Sequence, residues 1–437
     1  MNVLGVIGLG RSGIEVCKAA RRLGMDVFAT DIKDVPVEGL REIGVKLELG
    51  VHTDRILSSE LVVLSPGVPL DTEIVKKVRN KGIPLWSEIE FAYHHINSPI
   101  IAVTGTNGKS TTAALINAIL LADGRKSHIG GNIAPGRPLS SLIFELEKDS
   151  LVVCEVSSFQ LETIVNFRPH IAVLTNLAQD HLNRHRSFEE YINLKKRIFM
   201  NQTGEDFAVV NSKNSTTVSK IRAMKFFFSE NGVIKGSFLS NGEIFFKNGA
   251  KERICSVGIV KPQHGLGNVL ASVVVCTIMG VKKESMISGI ENFKGLPHRM
   301  EEIGSIDGVR FINNSMCTNP EAATHSLSVS RTPIILIAGG RDKGADFSHF
   351  AKLVKEKIKH LVLIGEAKLR LASMVRGFGF ESISFAESIN EAVEIAKRYA
   401  IKGDTILFSP GCSSFDMFRD FEERGNKFKE VFTRYKR

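Results

Sequence analysis

Residues 100–121 place a short strand, a glycine-rich turn and a helix in direct succession, and this order most constrains how the chain folds. The run from Ile100 to Val103 is apolar and mostly β-branched, and Ala113 to Leu121 has the composition of a helix. In such an arrangement the turn's N–H groups, from Thr106 to Lys109, are expected to face phosphate oxygens at the positive end of the helix dipole. The sequence therefore predicts a phosphate-binding loop.

One lysine and a row of hydroxyls complete this loop. Lys109 is expected to reach the β- and γ-phosphates of a nucleotide, and the Ser110 hydroxyl to contact a magnesium ion. A strict P-loop has glycine where this chain has Val103, so the loop is predicted to be a shorter variant.

The rest of the chain alternates apolar, strand-like runs with amphipathic stretches, which predicts α/β layers with parallel sheets. The length of 437 residues allows several domains. We expect a Rossmann-like domain over 1–93, a central P-loop-type domain with a small β-rich part over 94–297, and a second Rossmann-like domain over 298–437. Hinges are expected at Trp86–Pro99 and Gly295–Pro297.

Composition excludes several classes of protein. A hydrophobic fraction of 43% and a charged fraction of 24% are typical of globular domains. No apolar run reaches the roughly 18 residues of a membrane span, and no basic segment precedes the first strand, so we expect a cytoplasmic protein without a signal peptide. The six cysteines stand singly and are expected to be reduced core thiols.

The charge balance bears on the partners of the chain. The net charge of +10 is spread along the whole sequence, and aromatic residues make up only 7%. This pattern argues against a nucleic-acid partner and suits ligands that carry phosphates and carboxylates. The sequence predicts small-molecule substrates, no membrane partner and a monomer.

A second glycine loop lies near the start of the chain. Gly8, Gly10 and Gly13 follow a predicted strand, and Asp31 ends the next one, which matches the dinucleotide-binding fingerprint. One hypothesis is an NAD-dependent oxidoreductase. The other is that the loop holds the diphosphate of a UDP-sugar, with Ser12, Asp31 and Lys33 as contacts, and the separate phosphate loop at 104–111 favours it.

Several motifs resemble those of the Mur ligases, the amide ligases that build peptidoglycan precursors. The loop Val103-Thr-Gly-Thr-Asn-Gly-Lys-Ser-Thr111 resembles their ATP loop. The further motifs, in chain order, are Gly130-Gly-Asn-Ile133, Glu155-Val-Ser-Ser-Phe-Gln-Leu-Glu162, Thr175-Asn-x-x-x-Asp-His181, Tyr191-x-x-x-Lys-x-Arg197, Gly295-Leu-Pro-His-Arg-Met-Glu301, Gly339-Gly-x-Asp-Lys-Gly-Ala-Asp-Phe347 and Leu407-x-Ser-Pro-Gly-Cys-Ser-Ser-Phe415. Together with Phe421-Glu-x-Arg-Gly-Asn426, they most resemble the D-glutamate-adding branch of the family.

The resemblance implies a reaction. ATP would phosphorylate the L-alanine carboxylate of a UDP-N-acetylmuramoyl substrate, and the amine of D-glutamate would attack the acyl phosphate. It implies four catalytic residues, Lys109, Glu155, His181 and Lys195, and two Mg²⁺ ions held by Ser110, Glu155, His181 and a carbamylated Lys195. Asp180 would orient this cluster. Without the resemblance, a solvated basic face is the simpler explanation of Lys195.

The resemblance also assigns the three substrates. ATP would be bound by Gly105, Thr106, Asn107, Gly108, Lys109, Ser110, Thr111, Asn268, Arg299 and Asn314. The UDP substrate would be bound by Arg11, Ser12, Asp31 and Gly67 of the first domain and by Asn132 and Ser157 of the central domain. The amino acid, in the last domain, would be bound by Thr318, Lys343, Ser414 and Phe421.

Three positions depart from the family pattern. Asn314 stands where an Asp commonly holds the ATP ribose, Met316 replaces a usually cationic residue, and Gly265 replaces the Asn of a His-Asn pair near adenine. Two lost polar contacts at about 1 kcal/mol each would alter rates without abolishing the reaction. A non-catalytic nucleotide-binding relative is therefore a third hypothesis.

Overall fold

Three mainly parallel β-sheets carry the chain in the computed structural model. The structure describes residues 3–436 apart from 36, 38, 134–135, 179–186, 262–263, 331–332 and 343. The chain divides into two units, Met1–Phe293 and Lys294–Arg437. The first unit contains two of the sheets and the second unit contains the third. The α/β architecture with three sheet domains is thereby confirmed, while the boundaries at 93/94 and 297/298 stay predictions.

The first sheet is parallel throughout, with strand order β3-β2-β1-β4-β5. Its elements are β1 (Val3–Ile7), α1 (Arg11–Arg22), β2 (Asp26–Asp31), β3 (Lys46–Leu49), β4 (Leu61–Leu64), α2 (Glu73–Asn80), β5 (Leu85–Ser87) and α3 (Glu88–Tyr93). The order reverses between β1 and β4, which is where ligands bind in open α/β sheets. The first glycine loop lies at this point.

The second sheet has nine strands in the order β14-β13-β12-β11-β10-β9-β6-β8-β7. Its elements are β6 (Ile100–Thr104), α4 (Lys109–Ala122), β7 (Ser127–Gly131), β8 (Leu151–Glu155), α5 (Ser158–Leu161), β9 (Ile171–Leu174), α6 (Phe188–Lys196), β10 (Phe207–Asn211), β11 (Met224–Ser229), β12 (Gly236–Ser240), β13 (Glu243–Asn248), β14 (Ala250–Ser256), α7 (Leu266–Ile278) and α8 (Lys283–Asn292). Only the β12–β13 and β13–β14 pairs are antiparallel. They form the predicted small β-rich part.

The third sheet has the order β15-β16-β20-β17-β18-β19. Its elements are β15 (Glu301–Ile306), β16 (Val309–Asn313), α9 (Pro320–Val329), β17 (Ile334–Gly339), α10 (Ser348–Lys357), β18 (Ile358–Ile364), α11 (Lys368–Gly377), β19 (Ile383–Phe385), α12 (Ile389–Tyr399), β20 (Thr405–Phe408) and α13 (Phe421–Lys436). Within β17, Leu336 packs in one core and Ile335 and Ile337 pack in another. This alternation explains why the strand is apolar at every position.

The burial of the cysteines and the lengths of the helices agree with what the composition predicts. All six cysteines are buried and free, as expected of reduced core thiols. Among the described residues, no helix combines the length and the apolar surface needed to cross a membrane.

Helix α3 joins the first two sheets. Phe91 packs in the core of the first sheet, while Ile89 and Ala92 pack in the core of the second. The fully buried Glu90 accepts hydrogen bonds from the backbone N–H groups of Val165, Asn166 and Phe167 at 2.7–2.9 Å.

Glu88, two residues earlier at the start of α3, reinforces this connection. It accepts a 2.6 Å bond from the Ser140 amide, and burial raises its pKa. The hinge expected at Trp86–Pro99 thus contains a helix anchored to both sheets, whereas the hinge expected at Gly295–Pro297 lies beside the boundary between the two units.

We predict that Glu90→Ala lowers the free energy of unfolding by about 2–3 kcal/mol, because three backbone N–H groups, of which that of Phe167 is buried, lose their carboxylate acceptor at roughly 1 kcal/mol each. Urea denaturation monitored by circular dichroism measures the change. The control is Glu73→Ala, which removes an exposed helical glutamate paired only with Lys76 and should leave stability unchanged. Wild-type stability of Glu90→Ala would contradict this account of α3.

Candidate functional site

The predicted phosphate loop lies between β6 and α4. Gly105 has a φ of +146°, and a Cβ there would overlap the Thr175 hydroxyl, so this position requires glycine. The first hydrogen bond of α4 runs from the Thr112 N–H to the Gly108 carbonyl. The amides of Ser110 and Thr111 therefore precede the helical ladder, at the end of the helix that attracts anions.

Two residues that follow β9, Thr175 and Asn176, hold the phosphate loop in place through hydrogen bonds. The Asn176 side chain accepts from the Asn107 N–H and donates to the Asn107 carbonyl, both at 2.9 Å. The Asn176 carbonyl accepts from the Thr106 N–H at 2.9 Å, and the Thr175 hydroxyl donates to the Asn107 carbonyl at 2.7 Å. We call Thr175 and Asn176 the loop clamp.

The clamp corrects one expectation from the sequence. The N–H groups of Thr106 and Asn107 were expected to face phosphate, but in the structure both donate to Asn176. The remaining cradle begins at Gly108. Lys109 is half-buried and its ammonium donates to the Thr106 carbonyl at 2.8 Å, so its charge stays over the loop.

Glu155 ends β8, which pairs directly with β6. Its side chain is 2% exposed, and Oε1 accepts a 3.4 Å bond from the Asn132 amide. Oε2 is buried and has no hydrogen-bond partner among the described residues. A buried carboxylate oxygen in this state is costly unless a cation compensates it. The donor set therefore fits a hard cation such as Mg²⁺, with the buried Ser110 hydroxyl in the neighbouring loop as a second oxygen.

The other predicted metal ligands divide into described and undescribed residues. His181 and its neighbour Asp180 lie outside the described residues. The described part of the chain contains no group of three or more His, Cys, Asp or Glu side chains that would hold a metal. A full ligand set thus depends on residues beyond Glu155 and Ser110.

Lys195 is 2% exposed, so its interpretation as part of a solvated basic face is wrong. Its ammonium lies 4.7 Å from the centre of the Tyr191 ring. The Tyr191 hydroxyl in turn lies 3.1 Å from Oγ1 of Thr106 in the loop. Tyr191 therefore connects the buried lysine to the phosphate loop, as a cation–π partner on one side and a hydrogen-bond partner on the other.

Asn268 contacts the same region from α7. Its Oδ1 accepts from the Thr112 hydroxyl at 3.2 Å, and its Nδ2 donates to the His264 carbonyl at 2.7 Å. A Cβ at Gly265 would lie 2.8 Å from this Nδ2, and Gly265 has a φ of +71°. The departure to glycine at 265 therefore leaves Asn268 in place against α4.

The residues predicted to bind a UDP substrate fall into two groups. Ser12, Asp31 and Gly67 lie at the carboxyl edge of the first sheet, where Asp31 accepts from the backbone amides of Leu9 at 2.7 Å and Lys33 at 2.9 Å. Asp31 thus holds the first glycine loop in shape.

The second group, Asn132 and Ser157, follows β7 and β8 of the second sheet. Arg11, at the start of α1, links the two groups by donating to the Gly136 carbonyl after β7, and Asn132 contacts Glu155. Ser157 caps α5 in a reciprocal arrangement with Gln160. The substrate contacts themselves stay predictions.

The remaining predicted residues lie in the second unit. Asn314 is buried, donates to the Ser409 hydroxyl at 3.0 Å and accepts from the Met300 amide at 3.1 Å. Both ends of the Asn314 side-chain amide therefore form hydrogen bonds within the protein, and a contact with the ATP ribose stays a prediction. Arg299 is half-buried. Lys343 lies outside the described residues.

Three segments predicted to bind the amino acid meet in this unit. Thr318 follows β16, Ser414 follows β20 and Phe421 begins α13. Ser315 donates to the Phe421 carbonyl at 2.8 Å. Arg424 donates to Ser315 and to the Cys412 carbonyl. The structure thus brings these segments together at one edge of the third sheet.

Sequence reasoning missed the roles of Asn176, Tyr191 and Arg424. Asn176 directly follows an apolar strand, which was a usable signal for a residue at a sheet edge. Tyr191 precedes Lys195 by four residues on one helix, which places both on one face. Arg424 gave no such signal, because an arginine in a charged helix resembles a solvated one.

We predict that Thr175→Val weakens nucleotide binding about tenfold, because the Asn107 carbonyl loses one of its two side-chain donors and the loop loosens. Isothermal titration with ADP measures this. The matched control is Thr175→Ser, which keeps the hydroxyl and should bind ADP as the wild type does. Equal affinity of the Val and Ser variants would contradict the role of the clamp.

Comparison with known families covers nearly the whole chain. Residues 2–87 match the Mur ligase MurD-like N-terminal domain, residues 103–276 match the Mur ligase middle domain, and residues 298–412 match the Mur ligase glutamate ligase domain.

Relatives that match over nearly the full length of the chain belong to the same family. The chain is 43% identical to a UDP-N-acetylmuramoylalanine–D-glutamate ligase of Pelotomaculum thermopropionicum, covering 98% of this chain and 96% of that one. It is 39% identical to the protein of the same name from Thermoanaerobacter sp., covering 99% and 98%.

Solved structures share the fold. The structure is similar to UDP-N-acetylmuramate–alanine ligase MurC of Thermotoga maritima, with a TM-score of 0.62, 18% identity and 99% coverage of both chains. It is also similar to MurF ligase of Thermotoga maritima in complex with ADP, with a TM-score of 0.57, 16% identity and coverage of 99% and 96%. The domain matches and the full-length identities establish that this chain belongs to the Mur ligase family.

Proposed function

We propose that this chain is an ATP-dependent amide ligase that adds D-glutamate to UDP-N-acetylmuramoyl-L-alanine during peptidoglycan precursor synthesis. The observation that carries the proposal is identity of 39–43% over 98–99% of the chain to relatives that bear the name of this ligase. The phosphate loop, with Lys109 over it and the unpaired Glu155 oxygen beside it, supplies the site where ATP would react.

The first step is phosphoryl transfer. An oxygen of the L-alanine carboxylate attacks the γ-phosphorus of ATP, the bond to the β-phosphate oxygen breaks, and an acyl phosphate and ADP form. Lys109 and the amides at the start of α4 neutralise charge on the phosphates and hold them in line. Because the clamp fixes the loop before substrate arrives, little reorganisation is required at the moment of reaction.

The second step is acyl transfer. The neutral amine of D-glutamate attacks the acyl carbon and a tetrahedral intermediate forms. Inorganic phosphate then leaves with the electron pair of the broken C–O bond, and the proton lost from the nitrogen ends on that phosphate. The second unit, with Thr318, Lys343, Ser414 and Phe421, is the proposed position of the amino acid. Water must be excluded because it would hydrolyse the acyl phosphate.

Magnesium fits this site through Ser110 and Glu155, and it would supply positive charge that offsets repulsion between the phosphates and the substrate carboxylate. We propose two ions, with His181 and a carbamylated Lys195 as further ligands. Burial supports the modification, because carbamylation converts a buried cation into an anion that a metal can compensate.

The alternatives receive no support from a specific observation. The glycine loop at Gly8–Gly13 suits NAD as well as a UDP diphosphate, but residues 2–87 match a MurD-like N-terminal domain. A non-catalytic relative was suggested by Asn314, Met316 and Gly265. Of these, Gly265 leaves the Asn268 side chain in contact with Thr112 of α4, and nothing in the structure explains Met316. A cytoplasmic location and a monomeric state stay predictions.

We predict that the purified protein converts UDP-N-acetylmuramoyl-L-alanine with an ¹⁸O-labelled carboxylate, together with ATP and D-glutamate, into a D-glutamyl product. One ¹⁸O per turnover should appear in inorganic phosphate, because the acyl phosphate retains a carboxylate oxygen on phosphorus. Mass spectrometry detects both. A D-glutamyl product with unlabelled phosphate would contradict the acyl phosphate, and no product in a panel of amino acids would contradict the ligase itself.

Lys109→Ala should reduce this turnover about a hundredfold or more, because the phosphates lose a positioned charge. Lys126→Ala is the matched control, since Lys126 lies shortly after the same helix and, among the described residues, forms its ion pair with Glu147 at the surface. Undiminished turnover in a folded Lys109→Ala protein would contradict the role of the loop.

A further inference from the structure

Arg424 is an unusual cation in the second unit. It lies in the first turn of α13, is 1% exposed and is among the largest fully buried side chains. Its guanidinium donates to the Ser315 hydroxyl at 3.1 Å, the Ser315 carbonyl at 2.8 Å and the Cys412 carbonyl at 2.9 Å. All three acceptors are neutral.

No carboxylate in the described part of the chain forms an ion pair with Arg424. The Asp416 carboxylate acts on it only as a weaker, longer-range charge. Burial lowers the pKa of Arg424 to about 10, so the side chain remains protonated at neutral pH. Burying a charge without a counter-charge costs several kcal/mol, and such a group is expected to have a compensating purpose.

The position of Arg424 suggests that purpose. Its two carbonyl acceptors belong to the segments that follow β16 and β20, and a Cβ at Gly340, after β17, would lie 3.1 Å from its Nη1. The carboxyl ends of parallel strands meet at one edge of a sheet, where ligands bind. Arg424 therefore forms hydrogen bonds to the two segments that carry Thr318 and Ser414.

A second contact joins Arg424 to Phe421. The Ser315 hydroxyl accepts from Nε of Arg424 and donates to the Phe421 carbonyl at 2.8 Å. One side chain thus sets the relative position of all three described segments predicted to bind the amino acid. A buried positive charge that forms no ion pair within the described part of the chain also attracts an anionic ligand.

We propose that Arg424 is a positioning residue for the amino-acid substrate, which holds the three binding segments together and supplies the positive field that selects an amino acid with two carboxylates. This inference rests on the proposed function, since it concerns the D-glutamate site. Arg424 does not contact the substrate, because it is buried; it acts through Ser315 and the Cys412–Ser414 segment.

The test compares Arg424→Met, which keeps the length and removes the charge, with Arg424→Lys, which keeps the charge and loses the planar fork. KM is measured for D-glutamate, for ATP and for the UDP substrate. We expect Arg424→Met to raise KM for D-glutamate roughly 10- to 100-fold, the range for lost hydrogen bonds to a charged group, and the other two less than about twofold. Arg424→Lys should recover a substantial part of the loss.

A matched control removes a cation elsewhere on the same sheet. Arg310 donates to the Thr405 hydroxyl at 2.9 Å near the opposite ends of β16 and β20. Arg310→Met should leave all three KM values unchanged. An equal rise in KM for D-glutamate in Arg310→Met and Arg424→Met would overturn the proposal.

Two further outcomes of the KM measurements would also overturn the proposal. An unchanged KM for D-glutamate in folded Arg424→Met, or an equal rise in all three KM values, would show a merely structural residue. If Arg424→Met does not fold, Arg424→Lys and Ser315→Ala decide: a rise confined to D-glutamate supports the proposal, and a rise in every KM overturns it. Failure of the wild type to form any D-glutamyl product would instead overturn the proposed function.

Discussion

One oxygen of the Glu155 carboxylate is buried and has no hydrogen-bond partner among the described residues, and this constrains what the site beside the phosphate loop can bind. A carboxylate removed from water is costly, and within the described part of the chain the Glu155 side chain accepts one long hydrogen bond, from Asn132, to offset that cost. The strand that carries it pairs with β6, which leads into the phosphate loop. A cation that compensated this carboxylate would therefore lie near phosphates bound at the loop.

Other buried carboxylates of the chain show the contrast. Glu90 accepts three backbone hydrogen bonds and Glu88 accepts from Ser140, so both are occupied by the protein and serve to anchor α3. Arg424 differs from all three, since it is a buried cation whose hydrogen bonds in the described part of the chain go to neutral oxygens. The protein therefore satisfies Glu88 and Glu90 internally, leaves one oxygen of Glu155 without a partner among the described residues, and uses Arg424 to hold neighbouring segments together.

The sequence alone predicted the three α/β domains, the phosphate loop and the position of Glu155, because these follow from local patterns of apolar runs, glycines and strand ends. It could not predict that the N–H groups of Thr106 and Asn107 are taken by Asn176, since that contact spans about 70 residues of sequence. The sequence also could not predict that the side chains of Lys195 and Arg424 are buried. Each lies in a helix with charged neighbours, and only tertiary packing decides which of these charges leaves water.

Manganese binding, measured by electron paramagnetic resonance in the presence of ADP, reports whether Glu155 holds a cation beside the phosphate loop. We expect a saturable site that Mg²⁺ displaces and that Glu155→Gln weakens at least about tenfold, because the amide has the shape of the carboxylate without its charge. Glu88→Gln should leave the site intact, since the protein already occupies that carboxylate. Equal manganese affinity in the wild type and in Glu155→Gln would contradict the claim that Glu155 is held open for a cation.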